Sequence, residues 1–109
     1  SDEIVEIPWA WQLDDAPFYA FPGTIRRPSE VLDLWREEFD AALALTGFFH
    51  VICHPRYSGR PARILALEKL IEHIQGQEGV WFARCEEIAA HVRGDSRTPH
   101  HRSPETAPA

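Results

Sequence analysis

The sequence predicts an α/β fold: three strand–helix units with parallel strands, forming a contiguous piece of a larger parallel barrel. Apolar runs near 4–9, 48–53 and 80–83 are each followed by a longer segment, and the two later ones lead directly into amphipathic helical patterns. Strands that alternate with helices connect through right-handed crossovers and so run parallel. The run from Phe48 to Cys53 lacks polar alternation, as expected of a strand covered on both faces. Three strands make a small sheet, and a compact three-layer sandwich is the alternative architecture. One apolar stripe per helix and four tryptophans favour the barrel piece, because they offer more apolar surface than residues 1–94 alone can hide.

The elements follow in chain order. Ile4-Val5-Glu6-Ile7-Pro8-Trp9 reads as a strand, and the proline-rich stretch 13–28 reads as a long loop. Ser29 is a suitable N-cap for a helix in which Leu32, Trp35, Phe39, Ala42 and Leu43 recur at helical spacing, with Gly47 at C′. After the second strand, His54-Pro55 marks a stop. Ile64, Leu67, Leu70, Ile71 and Ile74 then form one stripe of a helix that starts near Pro61 and closes at Gly76 and Gly79. Val80 to Ala83 is a short strand, and Glu86 to Arg93 is a helix with acids in its first turn, a cation in its last and Gly94 beyond. The domain therefore occupies residues 1–94. Residues 95–109 carry three prolines and no large apolar side chain, the composition of a disordered tail.

Composition narrows the function. With 17 acidic and 11 basic side chains the 109-residue chain carries a formal charge of −6, the opposite of a phosphate-neutralising nucleic-acid binder. No apolar run approaches the length of a membrane span, so neither nucleic acid nor a bilayer is an expected partner. Cys53 and Cys85 are too few for a disulfide framework and read as free thiols.

The chemistry concentrates at the ends of the strands. His54 ends the second strand, and Pro55 biases its backbone to an extended form. On a parallel barrel that is the catalytic face, where an imidazole can exchange a proton near neutral pH. A strand-capping role is the plainer alternative. Asp14 and Asp15 follow the first strand, beside Trp11, Phe18 and Tyr19, and either orient a catalytic group or start the loop. His50 and His54, four residues apart on a strand, are roughly 13 Å apart and cannot share an ion. No metal site is expected within this chain. Arg56, Arg60 and Arg63 surround the His54 loop and can meet a substrate carbonyl or carboxylate, though part of this segment is structural through Gly59 and Pro61.

The string His54-Pro-Arg-Tyr-Ser-Gly-Arg-Pro-Ala-Arg63 resembles the C-terminal part of polysaccharide deacetylases with the NodB-homology domain. Leu67-Glu-Lys-Leu70, Gly79-Val-Trp-Phe-Ala83, Glu87-Ile88-Ala89 and, upstream, Ile7-Pro8 with Leu13-Asp14-Asp15 extend the resemblance over about residues 4–93. It is nearest the cytoplasmic branch that includes allantoinase-like and cyclic-imidase-like members. The resemblance implies a distorted (β/α) barrel and hydrolysis of a non-peptide carbon–nitrogen bond, in an N-acetyl amino sugar or a small cyclic amide. It assigns His54 as the acid that protonates the leaving nitrogen, with Asp14 or Asp15 as the supporting carboxylate. Ile52 falls on the family's acyl-pocket position. Trp11 and Arg60 are the remaining candidates for substrate contact.

The family's early aspartates and its histidine metal motif have no counterpart here. The resemblance therefore implies that any divalent metal in the complete enzyme is held by ligands outside this chain. It also implies that an N-terminal segment, as another chain, completes the barrel and supplies the remaining chemistry to a sugar or small-molecule substrate. The contrasting expectation is a non-catalytic folding or interaction module that keeps the shape alone.

Overall fold

The computed structural model describes residues 3–21 and 25–94. They fall into two units, residues 9–77 and a second made of 3–8 with 78–94. The proposed tail at 95–109 lies outside the described residues.

In the larger unit, a 3-10 turn at Trp11–Leu13 leads into a one-turn helix, α1 (Ala16–Tyr19), with Pro17 in its first turn. The long helix α2 spans Pro28–Leu45. It starts two residues earlier than the Ser29 cap predicts, because Pro28 is preset for the first helical position and its missing N–H costs nothing there. It ends where Thr46 and Gly47 both donate to the Ala42 carbonyl, at 2.9 and 2.7 Å. Gly47 has φ +73°, the left-handed conformation that closes a helix and that a side chain resists. A one-turn helix α3 (Pro55–Ser58) follows His54, and α4 runs from Pro61 to Gln75.

The core of this unit lies where α2 packs on α4. Val31, Leu32, Trp35 and Phe39 of α2 are buried with Leu70 and Ile74 of α4 and Tyr19 of α1. Leu32, Trp35 and Phe39 on α2, and Leu70 and Ile74 on α4, recur every three or four residues and are the buried part of the stripes seen in the sequence, whereas Leu43, Ile64 and Ile71, read into the same stripes, are exposed. Trp35, 3% exposed, satisfies its indole N–H by donating to the Gln12 carbonyl at 2.7 Å, which ties α2 to the segment carrying the aspartates. Phe39 meets Phe49 edge-on at 5.3 Å and His73 at 5.8 Å, and His73 Nε2 pairs with Asp40 of α2 at 2.7 Å.

In the smaller unit, α5 (Cys85–Val92) begins where the Glu87 carboxylate accepts the Arg84 N–H at 2.8 Å. Trp81 lies against His91 at 5.7 Å, and Arg93 donates to the Glu3 carbonyl at 3.4 Å.

The strands depart from the prediction. Among the described residues, 4–9, 48–53 and 80–83 form no ladder, so three parallel strand–helix units are not seen. The one pairing is an isolated parallel bridge between Asp14 and Ile52. Ile52 donates to the Leu13 carbonyl at 2.8 Å and accepts from Asp15 N–H at 3.0 Å. A strand exists only where a neighbour takes its main-chain groups. Residues 3–8 belong to the smaller unit, so 13–15, expected in a loop, are the residues that pair with the second apolar run. No helix among the described residues is long and apolar enough to cross a membrane.

Candidate active site

The parallel bridge delivers the site. Pairing Leu13–Asp15 with Ile52 brings a carboxylate from the start of the unit against His54, two residues past the bridge. The pair Asp14-Asp15 then divides its work. Asp14 Oδ1 accepts the Ala16 N–H at 3.0 Å, and its Oδ2 accepts the Trp9 indole N–H at 3.2 Å. That is turn chemistry, the alternative weighed for this pair. Asp14 still lies close enough for its Oδ1 to reach His54 Nδ1 at 3.7 Å.

Asp15 is wholly buried and all its carboxylate bonds converge on one short stretch. Oδ1 accepts from His54 Nδ1 at 2.6 Å, while Oδ2 accepts the His54 main-chain N–H at 2.7 Å and the Ser58 hydroxyl at 2.6 Å. Burial alone would push this carboxyl up, but the bonds from Ser58 and from the ring and backbone of His54 outweigh it and hold the group below its ordinary value. Asp15 is thus held as an anion in the interior by donors from His54 and Ser58. The bond from Asp15 raises the His54 pKa in turn. The His54 side chain is 47% exposed, so the pair has one buried end and one open end.

With Nδ1–H committed to an anion, Nε2 on the far edge of the ring is the nitrogen left to trade protons. The arrangement is that of an oriented general acid or base.

Local sequence explains the placement. Pro55 fixes the first residue of α3, Tyr57 and Ser58 donate to the His54 carbonyl at 2.9 Å each, and Gly59 donates to the Pro55 carbonyl at 3.0 Å. A Cβ at Gly59 would run into that same Pro55 carbonyl, so only glycine closes this turn. Arg63 secures the other side by donating to the Tyr57 carbonyl at 3.1 Å, with its guanidinium 4.3 Å from the centre of the Tyr19 ring. The tract from His54 to Arg63 is a structural unit built to present the histidine.

The remaining candidates are spread more widely. Ile52 is half-buried in the bridge itself. Trp11 is exposed and meets Trp9 at 5.0 Å with the rings tilted by 53°, and the Trp9 indole bonds Asp14, so Trp11 lies at the edge of the cluster. Arg60 is the exposed N-cap of α4 and makes no hydrogen bond or ion pair to His54, Asp14 or Asp15. Ser58, one of the two residues that bond the Asp15 carboxylate, is the residue that sequence reading passed over. Its signal was the spacing of a hydroxyl one helical turn after the histidine.

Asp14, Asp15 and His54 together present ligand atoms within 4.8 Å, the spread of a metal site. The donor set does not fit one. Two ligands each about 2.0–2.1 Å from a tetrahedral ion sit roughly 3.3 Å apart, whereas Asp15 Oδ1 and His54 Nδ1 are at hydrogen-bond distance, and all four carboxylate oxygens already accept N–H or O–H groups. The cluster is a hydrogen-bonded carboxylate–imidazole arrangement.

No family model matches the chain. It is 36% identical over 95 residues to a peptidoglycan deacetylase of Helicobacter pylori, covering 80% of this chain and 32% of that protein. It is 33% identical over 91 residues to a putative polysaccharide deacetylase of Schizosaccharomyces pombe, covering 79% of this chain and 28% of that one. The crystal structure of a putative polysaccharide deacetylase from Mycobacterium smegmatis matches with a TM-score of 0.76 at 35% identity, over 88% of this chain and 36% of that chain. These matches indicate a polysaccharide deacetylase family. The chain spans about a third of the length of the relatives it matches.

Proposed function

We propose that this chain supplies the leaving-group acid of a hydrolase that removes the N-acetyl group of an amino sugar in a polysaccharide. The observation that carries the reading is the 2.6 Å bond between wholly buried Asp15 and half-exposed His54. Similarity to a peptidoglycan deacetylase and two putative polysaccharide deacetylases supports the substrate class.

In this reading, water adds to the acetyl carbonyl to form a tetrahedral intermediate. The nitrogen is then expelled, and an unprotonated amine anion is a very poor leaving group. His54 Nε2–H gives its proton to that nitrogen as the carbon–nitrogen bond breaks, releasing the free amino sugar and acetic acid. Asp15 keeps His54 protonated until this step and stabilises the imidazolium that must precede it. The part of the protein beyond this chain, as a segment that completes a (β/α) barrel, contributes the group that activates water. Half-buried Ile52 borders the acetyl methyl, and exposed Trp11 offers a ring face to the sugar. Hydrolysis of a small cyclic amide, suggested by the branch the sequence resembles, uses the same proton delivery. Two unbridged cysteines accord with a reducing, cytoplasmic setting.

The test incubates the intact protein with N-acetylated glucosamine oligomers and, separately, with cyclic imides, and follows acetate release and ring opening. Acetate from the oligomers, lost in His54→Ala, is the expected result. Unchanged turnover in His54→Ala refutes the assignment, and ring opening without acetate release moves the substrate to the cyclic amides. Lack of turnover on both leaves the non-catalytic module as the better reading.

A further inference from the structure

We propose that Ser58 is a positioning residue for this reaction: its buried hydroxyl pins one oxygen of Asp15 so that the other stays aimed at His54 Nδ1. The inference rests on the proposed role of His54 as proton donor and adds a residue that the resemblance does not assign.

The geometry is specific. Ser58 is 4% exposed, and its Oγ lies 2.6 Å from Asp15 Oδ2 across 43 positions of sequence. Oδ2 receives a second bond from the main-chain N–H of His54 at 2.7 Å. A carboxylate held by two donors at one oxygen cannot rotate about its Cβ–Cγ bond without breaking both, so Oδ1 has one orientation, facing the ring. His54 and Ser58 are four residues apart and joined by the Ser58 N–H bond to the His54 carbonyl at 2.9 Å. One helical turn therefore carries both the group being oriented and the group that orients its partner. Pro55 at the start of that turn and Gly59 at its end hold this spacing, which gives the motif His-Pro-x-x-Ser-Gly a reason beyond loop closure.

Asp15 has other titrating neighbours. His54 and Asp14 share its site, Cys53 precedes the histidine, and Tyr19 lies on α1 under Arg63. Burial pushes the Cys53 thiol up. The Ser58 hydroxyl has a single proton, and the carboxylate of Asp15 takes it.

Ser58→Ala removes one oxygen and adds nothing, so it should fold. In the intact protein we expect kcat to fall about 10-fold or more with KM within two-fold, the pattern of an interaction expressed mainly in the transition state. Loss of one charge-assisted bond should move the carbon-13 titration of the Asp15 carboxyl to higher pH by about one unit, with Cys53→Ala as the control for the neighbouring thiol. Ser58→Thr, which restores the hydroxyl, should recover most of both. An Asp15 titration unmoved in Ser58→Ala overturns the proposal, whatever happens to turnover. So does a loss of kcat accompanied only by a lower Tm, because that is what a turn-closing residue would give. The carboxyl titration needs no substrate, and a protein inactive on every glycan tested still decides the role of Ser58.

Discussion

Replacing Asp15 by asparagine isolates what the buried charge does. The outcome follows from the three bonds at its two oxygens. The His54 main-chain N–H, 2.7 Å from Oδ2, can only donate, so the asparagine must keep its oxygen there. Its NH2 then faces His54 Nδ1, where 2.6 Å now separates carboxylate and ring. A donor at that point forces Nδ1 to accept, which stabilises neutral His54 and disfavours the imidazolium. The alternative amide orientation sets two donors against each other at Oδ2 and leaves the Ser58 hydroxyl without its acceptor in the interior, at a cost of about 1–3 kcal/mol. Asparagine therefore switches off the acid with little change of shape.

Removal of a positioned acid costs about 10²–10⁴ in rate, and the loss should fall on kcat. The assay compares N-acetyl glucosamine oligomers with an aryl acetate, whose phenolate leaves without a proton. Deacetylation of the amide should drop by that factor and cleavage of the ester by less than about ten-fold. Equal losses on the two substrates would refute the argument, because they would place Asp15 in a step that both share. Amide turnover within a few-fold of the parent would do the same.

Stability should follow the same pair. Asp15 sits below its ordinary value of 3.8, so its contribution is present above that pH and lost as pH falls through the folded value. His54 sits above its ordinary 6.5, so its contribution is full below that pH and lost as pH rises through the folded value. Urea midpoints should thus be highest between these two ordinary values, and His54→Ala should remove the alkaline decline. Trp35→Phe deletes the bond to the Gln12 carbonyl and leaves a gap in the core; urea unfolding should register a loss of about 1–3 kcal/mol. Gly59→Ala drives a methyl group into the Pro55 carbonyl, and a cost of about 1–3 kcal/mol, seen as a lower Tm, should accompany slower turnover because the same turn carries His54.

The helices were readable in the sequence because their cause is local. A proline at the first turn and an apolar residue every three or four positions place α2 and α4, and acids in the first turn with Gly94 beyond the last place α5, each within a residue or two. The strands were not, because pairing is a property of two segments. Phe48 to Cys53 has the composition of a buried strand, yet among the described residues only Ile52 takes part in a β-bridge, and the segment across from it was read as loop. The one-turn helices α1 and α3 carry too little periodicity to stand out. At the site, His54 with an aspartate was legible from the motif. Which aspartate it was, and the part taken by Ser58, depend on which oxygen faces which donor across about forty residues of chain.

That separation has a consequence for how the protein comes into being. The carboxylate and the imidazole are 39 positions apart, and closing a loop of that length costs roughly 3 kcal/mol of chain entropy before any bond between them is made. The helix lying between them, α2, packs on α4 through contacts that need neither partner. Helix docking can therefore precede the meeting of residues 13–15 with 52–58. On the proposed role of His54, proton-transfer competence is expected late on the refolding time course, after most of the helical signal has returned. A polypeptide released while those segments are still apart would have native helix content and no chemistry, so secondary structure is a poor gauge of whether the molecule has finished folding.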